Sequence, residues 1–449
     1  MAENYLTYKL ADTVRRTATV PDDLFGKYGV KRGLRNEDGS GVLVGLTKVG
    51  DVIGYEADKE GVKQPIPGKL LYRGYDIEDL VNATMKEGRM GYEEVAYLLL
   101  SGQLPDAVEL QQFHELIIQN MPLPHDAIMS IMSLRGHDIM NVLARSVLEL
   151  YTYDPAPDDL SQENAMAQSV ALVAQFPTII AYAFNSLRNA KHGLPMHVRL
   201  PVPELSIAEN FLYMTRKDFS ALDAKTLDLL LVLMAEHGGG NNSTFSVRVT
   251  SSTRTDIYSA IAAGIGSLRG PLHGGANLKV SGMHRYLREE VSNWKDPDEV
   301  DFHLERILAR QGFDKSGLIY GIGHAVYTIS DPRTGLLRGL ARQLAAEKGR
   351  EDEFDFMELV EQRAGIAFGR VKKTDAPMPA NVDFYSGLVY DLVGLPEEIF
   401  TPLFAMARIA GWVAHRNEEL NFSGQRIIRP AFRSVVGETK KYIPLNKRV

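Results

Sequence analysis

Residues Gly317–Gly335 read GLIYGIGHAVYTISDPRTG, and the run changes character within a short span. An apolar stretch leads to His324, set behind Gly321 and Gly323, whose missing side chains let backbone approach a ligand closely. Asp331 followed by Pro332 then reads as an N-cap with proline in the first helical position. The helix from Thr334 carries Leu336, Leu337, Leu340 and Leu344 at helical spacing and stops at Gly349. His324 therefore lies just upstream of a helix start. Arg333 lies in that helix's first turn, where a cation meets the unfavourable end of the dipole and needs an anionic partner. Taken alone, the two residues read equally as a satisfied core histidine and a surface ion-pair partner.

The same helical punctuation recurs on both sides. Asp76 opens a helix with Ile77, Leu80, Val81 and Thr84 on one face, and Pro105 starts one through Leu110, Phe113, Leu116 and Ile117. Ser206 and Glu209 form a capping box before Phe211, Leu212 and Met214; Thr401 and Pro402 open a helix with Leu403, Phe404, Ala407 and Ala410 inside. The exception is Gly41–Arg73, where GVLVGLTKV, DVIGYEA and GKLLYRG are short β-type runs broken by turn residues. The first forty residues read as a short helix followed by irregular chain, and DKEGVKQ and EKGREDEFD as solvated loops. The expected class is mostly α with a small N-terminal β segment. Repeats, low-complexity tracts and Gly/Ser linkers are not visible.

With 449 residues and 45% hydrophobic content, the chain can bury a large core and has length for two or three domains. A net charge of −7 gives no general basic footprint, so nucleic acid is not an expected partner. Zero cysteines exclude disulfides, thiolate metal sites and a cysteine nucleophile, and suit a reducing compartment; a cytoplasmic location is the expectation. The N-terminal MAENYLTYKLADTVRR lacks an apolar core of signal-peptide length, and no uninterrupted apolar run approaches ~20 residues, so no membrane association is expected. No histidine and carboxylate set has metal-ligand spacing.

Two further segments change the reading of His324: SLRGPLHGGANLKV around His273 and APMPANVDFYSG around Asp383. G-P-L-H-G-G-A-N, then G-x-G-H-A-V-Y with D-P-R, then N-V-D-F-Y-S-G, in that order, resemble citrate synthase. As an isolated motif, Asn381-Val382-Asp383 would read as a turn with Asp383 capping a helix. The string around His273 is more specific, because its glycines make no sense as an amphipathic helix. GIGSLRG at Gly264 loosely matches a dinucleotide loop, but it follows an Ala-rich helical pattern and reads as tight helix packing.

The resemblance implies a two-domain helical fold, with residues 1–277 and 391–449 forming a large domain, 278–390 a small one, and substrate between them. It implies condensation of acetyl-CoA with oxaloacetate, then thioester hydrolysis. The hard step, removing a proton from a weakly acidic methyl group, needs a carboxylate base and a donor at the thioester oxygen. By resemblance Asp383 is the base, His273 that donor, and His324 the donor to the oxaloacetate ketone. A dianion needs strong cationic donors; the family's arginines map to Arg333 in DPR, Arg408 in FAMARIAGWVAH and Arg429 in RIIRP, the last given to the neighbouring subunit's site in a homodimer. A further substrate histidine maps to His237 in LMAEHGGGNN, at a distance from His273 that suits one helix out and one back. Alone, each arginine reads as a surface ion pair and His237 as a helix C-terminal histidine.

The chain departs from the family where many members read H-x-D-H or H-x-x-H: here the residues are Met234-Ala235-Glu236-His237. The surroundings of His237, and acyl-CoA preference with them, are expected to differ. Lys372 and Lys373 are candidate CoA phosphate contacts whose spacing to Asp383 does not match the family closely. His415 is read as packed against its neighbours, and His125 and His192 as lying in polar loops. The expected cofactor is none, CoA thioester being a substrate, and no metal is needed. Competing readings are 2-methylcitrate synthase, which uses propionyl-CoA, a citryl-CoA-cleaving enzyme, and a non-catalytic assembly protein on the same fold.

Overall fold

A computed structural model of the chain describes residues 5–59, 62–134, 138–324, 326–373 and 378–448. Helices dominate, and most begin where the sequence punctuates them. The Asp331 carboxylate accepts from the Arg333 N–H at 3.0 Å and opens the helix Pro332–Glu347; Asp76 opens Ile77–Glu87; Ser206 and Glu209 form a reciprocal capping box for Ile207–Thr215. Near Pro105 the cap is Asp106, paired with Glu109, and the helix runs Ala107–Asn120. Each such cap satisfies backbone donors that a helix start leaves open, worth ~1 kcal/mol.

The β segment is shorter than the sequence suggested. Strands β1 (Gly50–Ala57), β2 (Lys63–Tyr72) and β3 (Tyr75–Asp76) form an antiparallel sheet in sequence order. The run Gly41–Val49 forms no strand beyond an isolated bridge from Gly41 to Arg35. Apolar composition alone does not make a strand without a ladder partner, and Leu43 and Leu46 are exposed. In the DKEGVKQ run, Lys63 and Gln64 belong to β2, and Glu60 and Gly61 lie outside the described residues. EKGREDEFD is not a loop: after a turn, the helix Glu351–Lys372 begins inside it and buries Phe354. His125 and His192 are likewise helical, at the ends of His125–Ser133 and Gln162–His192.

By internal contacts the chain divides into residues 1–45 with 428–449, and residues 46–427. The first unit holds the exposed helix Tyr5–Thr17, the short helix Asp23–Lys27, and a C-terminal run whose Arg433 lies 5.0 Å from the Tyr28 ring. The second holds the core. Its helix Gln162–His192 is long and apolar enough to cross a membrane, yet most of that apolar stretch is buried in the protein. Alongside it runs Phe400–Leu420, in which Trp412, Arg408, His415 and Arg416 are all fully buried. The Gly264 segment is indeed a helix, Ile257–Arg269; a Cβ there would sit 2.6 Å from Val247.

Candidate active site

Five chain segments converge on a cavity of about 130 Å³ lined by His237, Asn241, His273, His324, Asp383 and Arg408, with Arg333, Asn381 and Phe404 also at its wall. His237 lies just past the end of the helix Ala221–Met234, and His273 in the turn that ends Ile257–Arg269. Between them the chain goes out along Asn242–Ser251 and returns along Ile257–Arg269, as the spacing anticipated.

The loops carrying His324 and Asp383 are stitched together. Asn381 N–H donates to Gly321 O at 2.9 Å, Asn381 Nδ2 to Gly323 O at 2.8 Å, and Gly323 N–H to Pro379 O at 2.7 Å. Asn381, rather than Asp383, caps the helix Val382–Val393. Gly321 has φ +79°, and a Cβ on it would come within 3.0 Å of Phe384 Cα, so a side chain is excluded by conformation and space together. From the other side, β2 braces the loop after His324: the Gly68 N–H donates to Ser330 O at 3.1 Å.

Hydrogen bonds set the state of His324. Its Nδ1 accepts from the Val326 and Tyr327 N–H groups, both at 3.0 Å, so its proton sits on Nε2. The ring stacks on Tyr327 with centroids 4.5 Å apart. Burial, reinforced by the Arg333 charge, pushes its pKa down to about 4, and burial with Arg408 pushes that of His273 down to about 4. His237 is likewise held well below the usual imidazole range by burial, and its buried Nε2 has no hydrogen-bond partner. All three rings are neutral near pH 7. His273 Nε2 lies 3.1 Å from Ser243 Oγ, which also accepts from Trp412 Nε1 and lies 2.9 Å from Asn241 Oδ1.

The charges are unevenly satisfied. Arg333, buried, pairs with Asp331 through Nε at 3.0 Å and Nη2 at 2.7 Å, which supplies the anionic partner its helix position demanded. Arg408 is fully buried and donates from Nε to Met234 O at 2.8 Å, while its Nη1 and Nη2 have no partner. Burial lowers its pKa to about 10, which still leaves it cationic. Two unsatisfied donors on a buried cation carry a large desolvation cost unless an anion meets them. Burial also pushes Asp383 up to about 6, where a carboxylate is basic enough to take a proton and still largely ionised at pH 7.

Sequence reasoning brought His237, His273, His324, Arg333, Asp383 and Arg408 to one place. Arg429 is exposed and belongs to the first unit. Lys372 and Lys373 are exposed at a helix end, next to residues 374–377, which lie outside the described residues and include Ala376 and Pro377 of the APMP stretch. Asn381, Ser243, Tyr327 and Phe404 were missed as site residues. Asn381 alone gave a signal, as an Asx residue two before a buried carboxylate. Among the described residues no group of three or more His, Asp or Glu side chains could hold a metal.

A pocket that gathers buried cations, one raised carboxylate and neutral imidazoles defines an acid–base enzyme acting on an anionic substrate. A family model described as "Citrate synthase, C-terminal domain" matches residues 38–431. The citrate synthase of Synechocystis sp. is 37% identical over 387 residues, covering 85% of this chain and 89% of that protein. The 2-methylcitrate synthase of Shewanella oneidensis is 31% identical, covering 84% and 92%. The solved citrate synthase of Thermoplasma acidophilum, a ternary complex with carboxymethyl coenzyme A and oxaloacetate, superposes with a TM-score of 0.76 at 26% identity over 93% of this chain and 99% of that one. The chain belongs to the citrate synthase family. It is an enzyme, an acyltransferase.

Proposed function

We propose that the protein condenses acetyl-CoA with oxaloacetate to citryl-CoA and hydrolyses it to citrate and CoA. The observation that carries this reading is Arg408: a fully buried guanidinium whose Nη1 and Nη2 face no partner, beside a basic carboxylate. A substrate carboxylate of oxaloacetate satisfies those donors, with Arg333 and His237 holding the remainder of the dianion.

Asp383 takes a proton from the acetyl methyl while His273 hydrogen-bonds to the thioester oxygen, so that the enolate charge is met as it forms. For that task the Ser243 hydroxyl turns from Asn241 Oδ1 to hydrogen-bond His273 Nε2, which places the imidazole proton on Nδ1. His324, with its proton on Nε2, donates to the oxaloacetate ketone. The enolate carbon attacks the ketone carbon, the new alkoxide takes up the proton of His324 Nε2, and the methyl proton held by Asp383 makes good that loss, so that one proton moves net from methyl to hydroxyl. Water then cleaves the thioester, releasing CoA thiol and the citrate carboxylate. The charge that develops is met by hydrogen bonds, so the reading calls for no metal or further cofactor.

Residues 278–390 are proposed as a small domain closing on 1–277 and 391–449. In support, the stitched His324 and Asp383 loops come from the first stretch, and His237, His273 and Arg408 from the second. We further propose a cytoplasmic homodimer in which Arg429, exposed on its own chain, serves the partner's site. Propionyl-CoA is the alternative acyl donor, favoured by the 2-methylcitrate synthase relative, because one methylene changes discrimination by only ~1–3 kcal/mol. Initial rates of thiol release with acetyl-CoA and with propionyl-CoA, at saturating oxaloacetate and with citrate quantified, test the reading. A protein that turned over neither would sink it.

A further inference from the structure

The imidazole of His237 makes no hydrogen bond through its buried Nε2 and meets His324 and Tyr327 edge to face, so the backbone on either side helps to set its place in the cavity. Both flanks are held. The Tyr72 hydroxyl lies 3.3 Å from Glu236 N and 3.2 Å from Glu236 O, and the Glu236 carboxylate accepts a short hydrogen bond from the Gly238 N–H, closing a turn around His237.

That carboxylate is itself aimed. Glu236 is fully buried, and its Oε1 lies 2.8 Å from His415 Nε2. His415 Nδ1 faces Arg248 Nε at 3.1 Å and Nη2 at 2.6 Å. A guanidinium only donates, so Nδ1 carries no proton and Nε2–H points at Glu236. Arg248 is anchored in turn by Glu418, and by Glu419 through Nη1 at 2.9 Å; the Lys48 N–H holds Glu418 at 2.6 Å. The space is shaped for a long acid. A Cβ on Gly50 would lie 2.7 Å from Glu236 Cγ, and one on Gly411 would lie 2.5 Å from Oε2.

We infer that Glu236 is a positioning residue for oxaloacetate: aimed by His415 and Arg248, its carboxylate closes the Glu236–Gly238 turn and fixes the His237 imidazole in the cavity. The inference rests on the reading of His237 as an oxaloacetate ligand. What matters is reach more than charge. Glu236→Asp keeps the charge but withdraws the oxygen from both Gly238 and His415; Glu236→Gln loses the charge but keeps an acceptor at the same distance.

Steady-state kinetics of the full-length wild type, Glu236→Asp and Glu236→Gln, with direct calorimetric titration of oxaloacetate and a thermal melt of each, test this. Glu236→Asp should raise the KM and Kd for oxaloacetate by about tenfold to a hundredfold, the scale of one lost hydrogen bond to a charged group, with the KM for acetyl-CoA within about twofold of wild type. Glu236→Gln should show the smaller shift. His415→Phe, which removes the aiming donor, should move oxaloacetate affinity in the same direction and stands in if Glu236→Asp does not fold. Equal rises in both KM values, an unchanged oxaloacetate Kd in folded Glu236→Asp, or a larger loss in Glu236→Gln would overturn the inference. A wild type that made no citrate would instead overturn the functional reading on which it rests.

Discussion

Asn381 Oδ1 accepts the Asp383 N–H at 3.0 Å, and in doing so frees the Asp383 carboxylate from the capping role its sequence position suggests. The same Asn381 side chain donates from Nδ2 to Gly323 O, next to His324, so one residue ties the proposed base to the loop of the proposed ketone donor. Asn381→Ala should therefore cost more than a helix cap, which is worth ~1 kcal/mol. We expect a lower Tm together with a fall in kcat, measured by melting and thiol release. A lower Tm with unchanged kcat would reduce Asn381 to a cap.

Asp383→Asn should lose about 10²–10⁴-fold in kcat, the usual scale of a general base, with oxaloacetate affinity retained. The same substitution should stabilise the fold. The Asp383 pKa is raised from 3.8 to about 6, so its stability contribution is greatest when both folded and unfolded chains are protonated and is lost as pH rises towards 6. Relative to wild type, the Asn variant should gain nothing below pH ~4 and its full advantage above pH ~6, at most about 3 kcal/mol because the cavity side of the carboxyl is partly exposed. Denaturant titrations at both pH values check it.

The pH profile of kcat/KM should show an acid limb near 6, where Asp383 takes up its proton. His273 and His324, both lowered to about 4, should contribute no limb above pH 5. Protonating His324 Nδ1 would also break two backbone hydrogen bonds. A profile flat down to pH 5 would argue against Asp383 as the base.

Two glycines separate backbone strain from helix propensity. Gly321→Ala should lower stability by about 1–3 kcal/mol and raise the oxaloacetate KM, because φ +79° and the 3.0 Å approach to Phe384 leave no room for a methyl. Gly339→Ala, exposed within Pro332–Glu347 with open space around it, should stabilise by ~0.5–1 kcal/mol at unchanged KM. Thermal melts and oxaloacetate titrations of the two variants provide the comparison.

If Arg429 serves the partner's site, Asp383→Asn and Arg429→Ala proteins, each inactive alone, should complement after subunit exchange. A mixed dimer then carries one site with both lesions and one with neither. With random exchange activity should return to roughly a quarter of wild type. Activity that stays absent after demonstrated exchange would place Arg429 in its own chain's site.

The helices and their starts were legible in the sequence because capping and helical periodicity are local: Asp76, Ser206 and Asp331 each act within a few residues of their own backbone. The motif residues were legible as a set only through the resemblance that the three segments carry together, since Asp383 alone reads as a helix cap and His237 and each arginine alone read as ordinary helix-end or surface residues. Strand limits were not, because the Gly41–Val49 run has the composition of a strand but no partner to pair with. The start of Glu351–Lys372 was hidden by its charge, which lies on the solvent side while Phe354 faces the core. Tertiary structure alone decided the rest. It set which nitrogen of His324 carries the proton, left Arg408 with two orphaned donors, raised Asp383, and joined Glu236 to His415 across 179 positions of sequence. Protonation state and donor satisfaction depend on what lies within hydrogen-bond reach and on how much water is excluded, and both are properties of the packed chain that no local stretch of sequence contains.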